Sequence, residues 1–415
     1  MPVTEIEKLL LEYKRSENRW IGLEVERLGV DPRGRFLRYQ TDYRRLLSDL
    51  MSSHGWKVDY QVGSDILGIS KELSAISLEP GSQFELSLAP RQSLHEVMSL
   101  QAQLDQEILG FDYSKDWRFL GLGLNPLETP DQIELLPSPR YALMDRHFKT
   151  NGTRGREMMR LSAGLQVNLD FASEAEAIEM LRAGFYMAPF LASFFSNSPR
   201  QNSKTTGRLS ERHFVWRETD PARSGFLDFV FDPNFSFKDY SRHICSIPLM
   251  YAYDESGNAF DSKGASLCEL PNELVKKNAL AAMRQLFTEI RLKPCCVELR
   301  YFDQVPSRYR MAAVALCVGL LYDDENRSQL VSKSKKVSSL DLRKLMKEGA
   351  ETGLKSDQIY TELCKLVSMA IDGLHRRNYN EEVFLKDAEI LLSERKTPAE
   401  IWLEAGAGLD GDFLI

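Results

Sequence analysis

Apolar residues Ile6, Leu9, Leu10 and Tyr13 recur at the spacing of one helical face and predict a helix over residues 4–15. A strand is predicted over residues 20–26. Helical spacing returns over residues 41–53, where Leu46, Leu47, Leu50 and Met51 share a face. Ser93 is placed to cap a long helix ending near Leu109, since its hydroxyl can accept from the first free backbone amides. A further helix is expected over residues 173–195. Its apolar stretch, residues 183–195, is too short to span a bilayer and reads as buried. Residues 200–208 are polar and basic and read as a loop. Residues 331–339 (VSKSKKVSS) read as a solvated, basic connector. From about Leu340 the pattern is helical with almost no strand signal. Strand and helix runs mix without regular βαβα alternation, so an α+β architecture with an antiparallel sheet is expected, not a doubly wound one.

Several strands carry acidic residues on one face. In Ile21-Gly22-Leu23-Glu24-Val25-Glu26, alternation sends Ile21, Leu23 and Val25 to one side and Glu24 and Glu26 to the other. A Pro-Gly turn at Pro80-Gly81 separates Glu79 from a second piece, where Gln83, Glu85 and Ser87 oppose Phe84, Leu86 and Leu88. In Leu165–Phe171 the polar face holds Gln166, Asn168 and Asp170, and in Val297–Tyr301 it holds Glu298 and Arg300. One such strand is ordinary, because antiparallel sheets often wet one face. Together these strands repeat glutamate and contain no lysine, which a merely solvated face would mix in. Clustered carboxylates repel unless a cation neutralises them, and hard oxygen ligands suit Mg2+ or Mn2+. Glu298-x-Arg300 adds a phosphate clamp beside an acidic ligand, a combination that serves phosphoryl transfer.

The net charge of -7 gives no reason to expect nucleic acid or an anionic membrane as partner. The opening residues lack a signal-like apolar stretch, so a cytoplasmic protein is expected. The six cysteines form no CxxC pair and read as buried thiols without a catalytic or bridging role. No GxxxxGK[ST], GxSxG or HExxH occurs, which removes the Walker, serine-hydrolase and zinc-protease readings. His147 and His213 read as structural.

The segments IGLEVERLG, ISLEPGSQFELS, MMRLSAGLQVNLDF, RHFVWRETDPARSGFLDFVF, VELRYFDQVP and VGLLYDD together resemble the plant-type glutamate–cysteine ligases. They also resemble the bacterial enzymes that make γ-glutamylcysteine for ergothioneine. The likeness runs from about Arg19 to Asn326 and continues more weakly through the C-terminal helices. It implies a glutamine-synthetase-like fold, a curved antiparallel cradle with helices outside, in a catalytic domain over residues 1–335. A helical subregion over residues 336–415 would pack on it. The implied reaction is ATP-dependent ligation of the glutamate γ-carboxylate to the cysteine amine through a γ-glutamyl phosphate. The implied ligands are ATP, two or three Mg2+ ions, glutamate and cysteine.

The resemblance places Glu24, Glu26, Glu79, Glu85 and Glu298 at metal positions and Arg300 at the ATP phosphates. Arg223 matches an arginine for the glutamate α-carboxylate, and Arg212 is a second substrate-side match. The plant regulatory cysteines are missing from the helix SLHEVMSLQAQL, and Tyr301 and Phe302 stand where plant enzymes have glycine and alanine. Those bulky residues are expected to reshape the acceptor pocket. A ligase with another amine acceptor and an inactive ATP- or glutamate-binding relative are the competing readings. Oligomeric state is left open.

Overall fold

The computed structural model describes residues 2–12 and 19–408. Tyr13 and the end of the first predicted helix lie outside these residues. The helix itself runs Pro2–Glu12, with Ile6 and Leu10 buried as the spacing requires.

One nine-stranded antiparallel sheet organises the chain. Its strands are β1 (Ile21–Val30), β2 (Lys57–Val62), β3 (Asp65–Lys71), β4 (Ser74–Leu78), β5 (Phe84–Ser87), β6 (Arg118–Leu120), β7 (Gly164–Asp170), β8 (Ile290–Lys293) and β9 (Cys296–Asp303). The spatial order is β8-β9-β7-β1-β5-β4-β3-β2, with β6 paired to the far end of β1. Strand β1 is central because both of its edges are taken, by β5 and by β7. Alternation sets its two faces. Leu23, Val25, Leu86, Val167 and Leu299 are at most 1% exposed. Their side of the sheet packs on helices Leu94–Leu109, Glu174–Phe194 and Ser307–Leu321. Each such side chain contributes about 1.5–3 kcal/mol by burial. The register then fixes the polar face. Glu26 lies opposite Glu85, Glu24 opposite Gln166 and Ser87, and Glu298 opposite Asn168.

Local signals account for most helix starts. Ser93 accepts from the Glu96 amide while the Glu96 carboxylate accepts from the Ser93 amide, a complete capping box. Ser173 caps Glu174–Phe194 in the same serine-first manner.

Three expectations need correction. The helix predicted from residue 41 opens as a π-turn, Tyr39–Tyr43, and becomes α-helical only over Arg44–His54. The basic connector is mostly helix. Asp323 caps Asp324–Ser334, Leu330 and Ser334 are buried, and Ser338 already caps the next helix, Ser339–Thr352. The lysines lie on the outer side of that face and mask its period. The polar loop at 200–208 contains a short hairpin, Arg200–Gln201 with Lys204–Thr205.

The later helices continue the main core. Leu342 and Leu345 lie on Ser339–Thr352, which packs on Glu174–Phe194. Leu366 and Ala370 lie on Asp357–Arg377, which packs on Ser307–Leu321. All four join one hydrophobic cluster with the sheet. No helix among the described residues is long and apolar enough to cross a membrane.

Candidate active site

The polar face of the sheet forms the floor of a cavity of about 810 Å3, within the range of small-molecule sites. Glu24, Glu26, Glu79, Glu85 and Arg300 line it, as expected. Glu79 and Glu85 are carried there by the turn at Pro80-Gly81. A Cβ on Gly81 would stand 2.4 Å from the Arg160 carbonyl oxygen, so only glycine fits. Gln83 locks the turn by donating to the carbonyls of Met159 and Ser162 and accepting from the Gly81 amide.

The carboxylates are strained electrostatically. Burial pushes Glu26 up to about 7, against the pull of Arg212. Burial also raises Glu79. Glu85 is raised well above the carboxylate range, by burial first and then by the charges of Glu79, Glu24 and Glu26. Among the described residues its hydrogen-bond donors are hydroxyls, Ser77 at 3.0 Å and Ser87 at 3.3 Å. Glu26 accepts from the Gly164 amide at 2.5 Å and from Gln166 at 3.0 Å. Among the described residues no three acidic side chains form a closed cation cage.

Glu298 stands apart. It is 0% exposed and pairs with Arg291, with Lys293 at 3.1 Å and with Arg300 at 3.1 Å. Those cations hold it below the carboxylate range despite burial. Lys293 Nζ also lies 2.8 Å from Glu24 Oε1, so one ammonium bridges Glu24 and Glu298. The expectation of carboxylates without lysine holds for the strands it was read from. It fails for the sheet, because β8 adds Arg291 and Lys293 to the same face. Burial, then Arg291, lowers Arg300 to about 10. Its Nε lies 3.4 Å from Gln166 Oε1, and its guanidinium lies over Trp216.

Two predicted substrate residues do not reach the cavity. Arg223 has a fully buried side chain. Its donors go to Asp220 at 2.6 Å and to the carbonyls of Pro248 at 2.6 Å and Gln285 at 3.4 Å. It pins the loop at 219–225 to the body, and each of its three nitrogens already donates to a partner inside the protein. Arg223→Lys is therefore expected to lower stability by about 1–3 kcal/mol, the scale of a lost buried charged hydrogen bond. Denaturant melts should show that loss, with the glutamate Michaelis constant unchanged. Arg212 lies beneath the floor, 3% exposed, and steadies Glu26. A Cβ on Gly164 would meet its guanidinium at 2.4 Å, so the glycine makes room for that support.

Tyr301 and Phe302 also miss the cavity. Both are buried, Phe302 against Phe195 and Tyr301 beside Cys317. Their bulk fills the helix side of β9 and does not shape an acceptor pocket. His147 bonds Asp220 at 2.7 Å, and burial with Arg217 pushes His213 down to about 3.

The sequence reading missed Arg140, Arg284, Arg291, Lys293 and Trp216, all of which line the cavity. Arg140 lies over the Tyr60 and Tyr141 rings and donates to Tyr141 Oη at 3.0 Å. No acidic side chain among the described residues lies within ion-pair distance of it, and its Nε is buried without a partner. The usable signals were the R-x-K alternation of β8 and the Ser138-Pro139 helix start just before Arg140.

A profile of the glutamate-cysteine ligase family 2 matches residues 20–391, including the C-terminal helices where a weaker likeness was expected. Glutamate–cysteine ligase, chloroplastic, of Arabidopsis thaliana is 33% identical over 405 residues, covering 94% of this chain and 77% of that protein. Glutamate–cysteine ligase B, chloroplastic, of Oryza sativa subsp. japonica is 32% identical over 400 residues, covering 93% and 80%. A bifunctional glutathione synthetase from Pasteurella multocida shares the fold, with a TM-score of 0.52 at 11% identity. The match covers 98% of this chain and about half (51%) of that one. The α+β cradle with outer helices thus agrees with the expected glutamine-synthetase-like fold. The expected cytoplasmic placement is withdrawn, because the plant relatives are named as chloroplastic. With nearly its whole length matched by the family profile and by relatives above 30% identity, the chain belongs to the glutamate–cysteine ligase family 2.

Proposed function

We propose that the protein uses ATP to join the glutamate γ-carboxylate to the amine of L-cysteine, giving γ-glutamylcysteine, ADP and phosphate. The observation that carries this reading is the division of the cavity by charge. Repelling carboxylates (Glu26, Glu79, Glu85) occupy one part, and Arg291, Lys293 and Arg300 gather around Glu298 at the other. ATP with divalent ions presents the matching pattern, cations toward the carboxylates and phosphate oxygens toward the arginines. Glu24, Glu26, Glu79 and Glu85 are the residues that would hold Mg2+ or Mn2+, whereas Glu298 is already neutralised by Arg291, Lys293 and Arg300 and does not line the cavity. Bound there, such ions would supply charge neutralisation for the reacting phosphate and carboxylate groups.

The chain's own part is orientation. Arg300, stacked on Trp216 and tied to Glu298, presents a fixed fork to phosphate oxygens. Arg140 replaces Arg223 as the anchor for the glutamate α-carboxylate, since it is the cavity arginine with an orphaned Nε. The activated acyl group is then open to the cysteine amine, and phosphate leaves. Arg140→Lys should raise the glutamate Michaelis constant by about 10–100-fold, corresponding to about 1.5–3 kcal/mol for a charged hydrogen bond. The ATP constant, measured separately, should stay put. A glutamate constant that did not move would remove Arg140 from this role.

The activity itself is tested by phosphate release with ATP, Mg2+, glutamate and single amino acids. Cysteine-dependent release with formation of a γ-glutamyl product is expected. Release indifferent to the amine would overturn the assignment. The carboxylates also predict a pH dependence of stability. Glu26, Glu79 and Glu85 have raised folded-state values, so the stability linked to their protonation is present at low pH. For Glu26 it is lost as pH rises from about 4.5 through about 7, and Glu79 and Glu85, raised as well, act in the same direction. Metal-free protein should therefore lose melting temperature across that window. Mg2+ should restore more of it at pH 8 than at pH 5.5. An equal Mg2+ effect at both values would contradict the carboxylate–cation assignment.

A further inference from the structure

Cys295 and Cys296 close the β8–β9 hairpin. The loop has two residues, Pro294 and Cys295, between the paired ends Lys293 and Cys296. Cys295 takes φ +73, a left-handed position that such turns normally give to glycine or asparagine. The adjacent thiols interact directly, side chain to side chain. Alternation puts Cys296 on the same face as Glu298 and Arg300, and its Sγ lies 3.6 Å from Asn168 Oδ1. Asn168 in turn donates to Glu24 at 2.9 Å, and Lys293, paired across from Cys296, bridges Glu24 and Glu298. An adjacent dithiol therefore sits at the end of the strand pair that holds the cationic edge of the cavity. Both cysteines keep some solvent exposure.

We propose that Cys295 and Cys296 form a thiol–disulfide exchange site for low-molecular-weight disulfides, and that its oxidation disables the neighbouring cavity. The Cys295 thiolate attacks the small disulfide, forming a mixed disulfide and releasing one small thiol, because contact with Cys295 and burial push the Cys296 thiol up. The second cysteine thiolate then attacks the protein-side sulfur, closing the Cys295–Cys296 bond and releasing the other small thiol. Two protein thiols are oxidised and one disulfide is reduced to two thiols, so electrons balance. Neighbouring Cα atoms stand about 3.8 Å apart, closer than an unstrained disulfide prefers. Strained disulfides are readily reduced, which suits a reversible mark and not a structural staple. Closing the ring draws Cys296 Sγ away from Asn168 and deforms the turn on which Lys293 sits. The contacts of Lys293 with Glu24 and Glu298 are then lost. The effect on turnover rests on the proposed ligase reading; the exchange itself does not.

The experiment treats the intact protein with hydroxyethyl disulfide, maps its cysteine peptides by mass spectrometry and measures ATP turnover. Mapping is required because Cys245 and Cys268 also lie side by side. The expected result is a peptide spanning Cys295 and Cys296 lighter by two hydrogen atoms. Turnover should fall at least tenfold and return with dithiothreitol. Cys295→Ser should block both changes. A phenylarsenical, which condenses with two neighbouring thiols and expels water, should protect the pair from oxidation. No bond between Cys295 and Cys296 in the map would overturn the proposal, as would a bond formed with turnover unchanged. If untreated protein shows no cysteine-dependent turnover, the ligase reading falls while the map still decides whether the pair exchanges.

Discussion

Glu85→Gln is expected to stabilise the metal-free protein and to destroy its activity. Glu85 faces three other carboxylates and receives only hydroxyl donors, so its charge is a burden on the fold. Glutamine keeps the shape and both hydroxyl contacts while deleting that charge. The melting temperature at pH 8, without divalent ions, should rise by a few degrees. Turnover at saturating Mg2+ should fall by about 10²–10³-fold, the scale on which one charge-stabilising group contributes to a transition state. Stability held down at a working site is the usual sign that the strain serves function. Wild-type turnover in this variant, with excess Mg2+, would take Glu85 out of the site.

Glu298→Gln should also lose turnover, but with the opposite effect on stability. Here the carboxylate is the shared counter-ion of Arg291, Lys293 and Arg300. Removing its charge leaves Arg291 and Arg300 buried without compensation, which costs about 3–5 kcal/mol. Arg300 would also lose the partner that aims it. The pair of variants separates two reasons for a buried glutamate that one activity assay would merge. Equal changes in denaturation midpoint for Glu85→Gln and Glu298→Gln would show that the charge map of the cavity is wrong.

Much of this was legible before any coordinates. Strand alternation placed Glu24, Glu26, Glu85, Glu298 and Arg300 on one face because a half-buried strand has a period of two. The Ser93 cap was legible for a similar reason, being decided within one turn of chain. Arg223 failed because a charged residue in a Pro- and Gly-flanked loop looks the same whether it meets a substrate or the carbonyl of Pro248. Only tertiary structure distinguishes those cases. Lys293 was missed because its meaning depends on Glu24, 269 positions away. Arg140 was missed because it lies over the rings of Tyr60 and Tyr141, and the charge it feels, Glu79, comes from a distant part of the chain. Of the six cysteines expected to be buried, Cys245 and Cys317 are, whereas Cys268 is exposed, and all six are free thiols as expected. The adjacency of Cys295 and Cys296 is plain in the sequence, but their place on the two-residue turn of β8 and β9 is set by strand pairing.

The strand order carries a consequence for how the chain is made. Strand β1 has β5 on one edge, available early, and β7 on the other. Until residues 164–170 have been synthesised, that second edge has no partner, and an open strand edge invites pairing with other chains. The same early segment holds Glu24, Glu26, Glu79 and Glu85, while β8 and β9 bring Arg291, Lys293 and Arg300 some two hundred residues later. At about 5–20 residues per second, a ribosome leaves that half-sheet incomplete for roughly 10–40 s. During that interval the mutual repulsion of the carboxylates opposes premature stacking of one nascent sheet on another. The charge that weighs on the finished fold would then guard the unfinished one.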